Sequence, residues 1–388
     1  MSNSVEKTFS KWRIYIALAI GLSISIGIII YSFTRTEYHR TETGKGTHSW
    51  VDTNHNKKVD AANPEEFIEK KQGDYAQKTA LEVLSEINWS TSVFFWLLLA
   101  CIGMLGRDFG YMLRIRILTK NQLTWRQSFK VIMLWEFAST LAPGVMGGTA
   151  VAMFILNKEK ISMGKSTAIV IMTAFMDNLF YVILVPLLTL FVPVASLFPE
   201  SGNDTVRVIF WTGFGFFTLL SFVLFSSIVV SPKLVGKLLT FFTKIPFLKK
   251  FNENAKRTGQ DVETTAHEMR KEHFSFWLKA YGATLISWCS RFLVINCLLQ
   301  AFLNLGMMQQ VHIFMKQFVL WMFLRVSPTP GGSGVAEWAF STLMHDFSAS
   351  FILVSTLAVL WRIISYYPYI LIGSIILPKW LGKSKNRN

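Results

Sequence analysis

Six ionisable side chains stand within apolar stretches of the sequence: the acids Glu136, Asp177 and Glu337 and the bases Arg291, Arg325 and Arg362. A charge in hydrocarbon is costly, so each must face a partner or water. Arginine presents a planar fork of donors suited to phosphate or carboxylate oxygens. The acids can neutralise the arginines or carry protons. The set reads either as structural ion pairs or as a charged site for an anion. Arg325 and Glu337 flank Pro328, Pro330, Gly331, Gly332 and Gly334, residue types that stop one helix and start another. A second break of the same kind, Ala142-Pro143-Gly144-Val145-Met146-Gly147-Gly148, follows Glu136. A helix that restarts after such a break presents unpaired N–H groups and a partial positive charge, which suits an anion such as phosphate.

A membrane must hold these breaks. The chain has 388 residues, 51% of them hydrophobic, and a mean hydropathy of +0.37. Repeated apolar runs near the roughly 20 residues needed to cross a bilayer predict an integral membrane protein. The expected fold is all-α and polytopic, with spans at 14–33, 91–112, 166–192, 206–230, 280–305 and 348–377. Two broken-helix hairpins, 127–158 and 312–346, are read as re-entrant, because the apolar segments 314–323 and 339–344 are each too short to cross alone. Irregular backbone at membrane depth is tolerated where protein or water satisfies it, so both tips are expected to line a cavity.

The formal net charge of +15 lies beside the apolar runs, as the positive-inside rule requires. No aromatic-basic platform accompanies it, which argues against a nucleic-acid partner. Membrane lipids with anionic headgroups are the expected partners. The pattern predicts a multi-pass protein of a bacterial-type plasma membrane, with both termini cytoplasmic and 34–90 outside. In the inner segment 231–279, Lys233, Lys237, Lys244, Lys249, Lys250, Lys256 and Arg257 alternate with Leu and Phe, as in an amphipathic stretch lying on an anionic face. Arg107 and Asp108 close the second span and read as an interfacial pair, either snorkelling or binding a headgroup. The 34–90 loop is too polar to fill a core, so 1–388 is read as a single membrane domain. Cys101, Cys289 and Cys297 fall in apolar segments and read as small core residues.

Within the outer loop, Asp52, Asn54, Asn56 and Asp60 place oxygens at calcium-loop positions 1, 3, 5 and 9. Against a Ca2+ site, Lys57 replaces the turn glycine, Asn63 replaces the bidentate Glu, and Lys57 and Lys58 oppose a cation. A solvated Asx-rich turn is the alternative. No other cofactor is expected.

Units 91–192 and 280–377 each read span, broken hairpin, span, and they begin on opposite sides. Interrupted segments at matching places in an inverted repeat point to a transport site near the midplane. The candidate site comprises Glu136, Pro143, Gly144, Gly147, Gly148, Asp177, Arg291, Arg325, Pro328, Pro330, Gly331, Gly332, Gly334, Glu337 and Arg362. Glu337 adjoins a tip and is the acid most expected to balance charge or couple protons.

Over 94–378 the chain resembles the lysylphosphatidylglycerol synthase transmembrane-region, or flippase-like, family. The resemblance rests on Pro328-Thr-Pro-Gly-Gly-Ser-Gly-Val-Ala-Glu337, on the 141–154 hairpin and on Asp177. Gly148 and Val151 stand where many relatives carry Glu and Arg. The match ends shortly before Asn388, without the soluble aminoacyl-transferase domain of bifunctional relatives. The resemblance implies movement of a charged or glycosylated lipid between leaflets, by a transporter rather than an enzyme. No ATP-binding loop is present, so an ion gradient or downhill lipid flow would drive it. An ion or solute transporter with the same repeat is one alternative. A membrane-embedded transferase acting on a lipid headgroup is another, and it would need a nucleophile or base in the cavity.

Overall fold

Two kinds of segment follow one another along the chain, a short polar sheet and then long apolar helices. The computed structural model describes residues 34–141, 146–199, 204–226 and 252–385 apart from 56 and 58, with isolated positions 19, 23, 26, 27, 30, 31, 237 and 241. Strands β1 Thr36–Arg40, β2 Gly46–Trp50, β3 Phe67–Gly73 and β4 Tyr75–Thr79 precede the short helix α1 Ala80–Ser85. Then come α2 Thr91–Leu118, α3 Trp125–Leu141, α4 Met146–Lys158, α5 Met163–Thr189, α6 Asp204–Phe225 and α7 Asn252–Arg270. The last group is α8 Phe274–Leu303, α9 Met307–Val326, α10 Val335–Met344, α11 Phe351–Ser365 and α12 Tyr367–Lys385.

The expectation of an all-α chain is corrected by the sheet, which is antiparallel in the order β1-β4-β2-β3. Its own core is a small aromatic cluster. Tyr38 stacks on Phe67 at 4.2 Å, and Phe67 meets Tyr75 edge-on at 5.2 Å. The rest of its burial comes from the helices, since Ala80 and Val83 of α1 pack on Ile352. Buried Glu37 of β1 accepts from Ser350 Oγ at 2.7 Å and from the Ile352 N–H at 2.6 Å, so it caps the start of α11. A polar segment orders here because it is docked on the helical body.

The loop after β2 is built around a protein carboxylate. Glu66 is fully buried and accepts from Trp50 Nε1 at 2.9 Å, Asn54 Nδ2 at 2.6 Å and the Asp60 N–H at 3.3 Å. Asp52 accepts from the Lys57 N–H at 2.9 Å, while Asp60 lies 3.8 Å from His345. Among the described residues no three His, Cys, Asp or Glu side chains are grouped to hold a metal. Asn56 lies outside the described residues.

Five of the described helical segments are long and apolar enough to cross a bilayer: Thr91–Leu118, Met163–Thr189, Asp204–Phe225, Phe274–Leu303 and Phe351–Leu381. They coincide with five of the expected spans. The expected span 14–33 and the first half of the basic segment lie almost wholly outside the described residues. The second half of that segment forms α7. The arm before the second break is longer than the apolar pattern suggested. Helix α9 has 20 residues, about 30 Å at 1.5 Å per residue. Lys316 and Gln317, polar residues inside the 314–323 segment, are both satisfied within the bundle. Lys316 pairs with Asp346 at 2.7 Å, and Gln317 Nε2 donates to Asn296 Oδ1 at 2.9 Å.

Polar contacts define two ends of the bundle. Lys120 pairs with Glu272 at 2.5 Å, and Glu159 accepts from Gln127 at 3.1 Å and Trp380 at 2.8 Å, so the Lys-rich connections share one end. The sheet, the Phe198 carbonyl that accepts from Lys316, and the turn before α11 share the other.

Helices α2 and α8 form the closest pair. A Cβ on Gly103 would lie 3.1 Å from the Ser290 carbonyl, and one on Gly110 would lie 2.4 Å from Ser287 Oγ and 2.8 Å from the Ala283 carbonyl. Rising numbers on α2 meet falling numbers on α8, so the two run antiparallel. Ser287 Oγ also donates to the Arg107 carbonyl at 2.9 Å. Such small-residue contact is how helices approach closely where lipid removes the hydrophobic drive.

Gly110→Ala is expected to lower stability by about 1–3 kcal/mol through overpacking. The same substitution at Gly282, which has nothing within 4 Å, is expected to raise it by up to roughly 1 kcal/mol through helix propensity. Thermal unfolding in detergent reads the opposite signs.

Candidate functional site

The helices line a partly open cavity of 320 Å³. Arginines reach it from four helices: Arg107 of α2, Arg291 of α8, Arg325 of α9 and Arg362 of α11. Glu136 of α3 and Asp177 of α5 are its lining carboxylates. Gly331 and Gly332 of the second break form part of the wall, and Phe217 of α6, Trp288, Trp321, Tyr366 and Tyr369 supply aromatic surface. Five expected side chains, Glu136, Asp177, Arg291, Arg325 and Arg362, thus share one space.

The carboxylates are mostly engaged. Asp177 accepts from Arg114 at 2.5 Å and from Trp288 Nε1 at 2.8 Å, and Arg114 also donates to Thr284 at 3.2 Å. Arg107 bridges Glu136 at 2.6 Å and Asp108 at 2.9 Å, and Tyr369 donates to Asp108 at 2.8 Å. Arg362 Nε lies 3.3 Å from Glu337.

Two arginines are held differently. Arg291 reaches Glu136 only at 3.9 Å and lies on the rings of Trp321 at 4.5 Å and Trp288 at 4.8 Å. Arg325 stacks on Tyr181 at 4.0 Å and Phe217 at 4.9 Å, and its Nη1 donates to Asn178 Oδ1 at 2.9 Å. Among the described residues, no carboxylate lies within ion-pair distance of Arg325. The cluster therefore joins five arginines, at 107, 114, 291, 325 and 362, to four carboxylates, at 108, 136, 177 and 337, a formal excess of one positive charge.

Glu337 does not line this cavity. It is 1% exposed, and its Oε2 accepts from the Gly334 N–H at 2.8 Å. The N–H groups of Gly332 and Ser333 donate to the Thr329 and Pro330 carbonyls. The start of α10 is thus partly capped by the protein itself, and three of the N–H groups after Pro330 that were expected to face a ligand, those of Gly332, Ser333 and Gly334, are satisfied internally. Gly331, Gly332 and Gly334 all take positive φ, the backbone that glycine adopts without strain. Pro328 is exposed and Pro330 half-buried.

At the first break, Pro143 and Gly144 lie outside the described residues, and Gly147 and Gly148 fall in the first turn of α4 rather than in a tip. A Cβ on Gly148 would lie 2.2 Å from Ser139 Oγ, so the two arms cross closely there.

Sequence reasoning left Arg107 at the interface and did not place Arg114, Tyr111, Trp288, Trp321, Tyr366 or Tyr369 at the site. Arg107 and Arg114 are instead 2% and 4% exposed. A usable signal was present. Arg107-Tyr111-Arg114, Trp288-Arg291, Trp321-Arg325 and Arg362-Tyr366-Tyr369 set arginine and aromatic three, four or seven apart, the first three sets each on one helix face.

A family model described as Lysylphosphatidylglycerol synthase TM region matches residues 76–373. The chain is 26% identical over 311 residues to a UPF0104 membrane protein of Archaeoglobus fulgidus, covering 78% of this chain and 92% of that protein. No solved structure matches.

Removing one partner of a buried ion pair strands the other. Asp177→Ala is expected to cost about 3–5 kcal/mol by leaving Arg114 uncompensated. The double substitution Arg114→Met with Asp177→Leu is expected to recover most of that loss. Thermal unfolding in detergent, followed by tryptophan fluorescence, gives the comparison.

Proposed function

The chain belongs to the lysylphosphatidylglycerol synthase TM region family, and from that premise we propose that it is a flippase-like transporter of an anionic or amphiphilic lipid. The headgroup passes through the arginine-lined cavity while the tails remain in the bilayer. The observation that carries this reading is the excess positive charge inside the helical bundle, and above all Arg325, which turns aromatic faces rather than a carboxylate to its guanidinium.

The antiparallel pairing of α2 with α8 supports an inverted repeat, because these helices head the two units of span, broken hairpin and span. In that arrangement the hairpins α3–α4 and α9–α10 are re-entrant and enter from opposite leaflets. The gathering of Lys-rich connections at one end supports a cytoplasmic placement of that end and of the C-terminus, by the positive-inside rule. A transporter is favoured over a transferase by the cavity lining. No His or Cys is among its described lining residues. The lining serines Ser139 and Ser365 donate to the backbone carbonyls of Trp135 and Trp361, so neither hydroxyl is presented to a base. An ion or solute transporter would share the repeat but would not need aromatic walls of this extent, which suit an amphiphile.

Arg325→Gln is expected to slow translocation of fluorescent phosphatidylglycerol in proteoliposomes by about 10- to 100-fold, the worth of a charged hydrogen bond. Arg325 is only half-buried, so thermal stability is expected to change little. Unaltered translocation of phosphatidylglycerol by this variant, with the unsubstituted protein active, removes Arg325 from the path.

A further inference from the structure

Tyr366 stands alone between α11 and α12. Its backbone is not helical, with φ −124° and ψ −56°, and Pro368 follows in the first turn of α12. A proline there cannot donate back into the preceding helix, so the two segments meet at a joint. The Tyr366 side chain lies between the flanks of the two breaks. On one side, a Cβ on Gly331 would lie 2.3 Å from its ring Cε2 and 2.6 Å from its hydroxyl oxygen. On the other, the hydroxyl donates to the carbonyl of Thr140 at 3.3 Å, three residues before Pro143. The ring face carries the Arg362 guanidinium at 3.6 Å, and Arg362 in turn reaches Ser333 and Glu337 of the second hairpin. One side chain therefore touches both hairpins and the arginine that lines the cavity wall.

We propose that Tyr366 is the latch of the cavity. Its ring fills the space between the two hairpin flanks, its hydroxyl ties the end of α3 to the second break, and a swing at the α11–α12 joint withdraws it and widens water access. The ring alone would be ordinary packing. The arrangement points to a latch because the plug sits on the joint, lines the cavity, and is held to α3 by a single neutral hydrogen bond. Such a bond contributes about 0.5–1.5 kcal/mol, weak enough to break repeatedly at ambient temperature. Gly331, at φ +56°, leaves the space into which the ring closes. That such a latch controls lipid passage rests on the transporter reading, whereas its control of water access does not.

The test uses the full chain with Cys101, Cys289 and Cys297 replaced by Ala and a single reporter, Ala174→Cys, on the α5 wall of the cavity. The rate of modification by a water-soluble methanethiosulfonate reagent measures opening, with no lipid substrate required. Tyr366→Phe keeps the ring and loses the bond, and is expected to speed modification roughly 2- to 10-fold. Tyr366→Ala removes the plug and is expected to be faster still. Gly331→Ala displaces the ring by its methyl group and is expected to act in the same direction. Wild-type rates in both Tyr366→Phe and Tyr366→Ala, in monodisperse protein, overturn the latch. Should Tyr366→Ala fail to fold, Tyr366→Phe and Gly331→Ala decide the matter alone. Faster modification in proteins that move no phosphatidylglycerol with either Arg or Gln at 325 upholds the latch while removing the transporter reading.

Discussion

Five arginines drawn into a bundle of apolar helices set the terms for the rest of the structure. Each needs an answer to its charge at a depth where water is scarce. Arg114 finds Asp177, Arg107 finds Asp108 and Glu136, and Arg362 finds Glu337. These pairs join α2 to α5, α2 to α3, and α11 to α10, so the charges also determine which helices must be neighbours. Close approach is what makes the pairs reachable. The glycines on α2 let α8 come near enough for a serine hydroxyl on one helix to meet a carbonyl of the other. Small residues and buried charges thus solve one problem together, the first by distance and the second by attraction.

The second hairpin shows how irregular backbone is tolerated among apolar helices. Three of its donors are consumed locally: Gly332 and Ser333 close short turns, and Gly334 is capped by Glu337. Glu337 is in turn held by Arg362. A helix start treated this way keeps little positive field for a ligand, since the capping carboxylate lies where an anion would bind. The electrostatics of the cavity therefore come from side chains on continuous helices, and the hairpin contributes shape. Its glycines let the Tyr366 ring approach the backbone, which a residue with a Cβ would prevent.

Much of the framework was legible in the sequence. Apolar runs of bilayer length marked five helices, and charges within them marked Glu136, Asp177, Arg291, Arg325 and Arg362, which do converge. What failed did so for identifiable reasons. The apolar segment 314–323 looks too short to cross alone, yet α9 runs on to both sides of it, and Lys316 and Gln317 within it are satisfied by Asp346 and Asn296. The 34–90 segment looks too polar to fill a core, and its strands do use the helical body as the missing half of theirs; the sheet itself was not foreseen. Arg107 and Arg114 look peripheral because they follow the most apolar part of α2. Their burial depends on how far α8, α5 and α3 extend beside them, which no local pattern encodes. Glu337 looks like a site residue because it adjoins a break, but position three of a helix is also where a cap belongs.

The manner in which each arginine is neutralised separates structural from ligand-facing roles. A guanidinium engaged by a carboxylate has its in-plane donors occupied, as Arg114 does with Asp177 and Thr284. One stabilised through the face of its plane, by rings, gains about 0.5–2 kcal/mol depending on desolvation and keeps those donors in the plane for another acceptor. Arg325 follows the second pattern, on Tyr181 and Phe217, and so does Arg291, on Trp288 and Trp321, with Glu136 held off at 3.9 Å. Aromatic walls thus serve two ends. They make a half-buried cation tolerable without neutralising it, and they offer an apolar surface beside the charge. A purely ionic solute has use for only the first of these, whereas a molecule with a charged head and an apolar body has use for both.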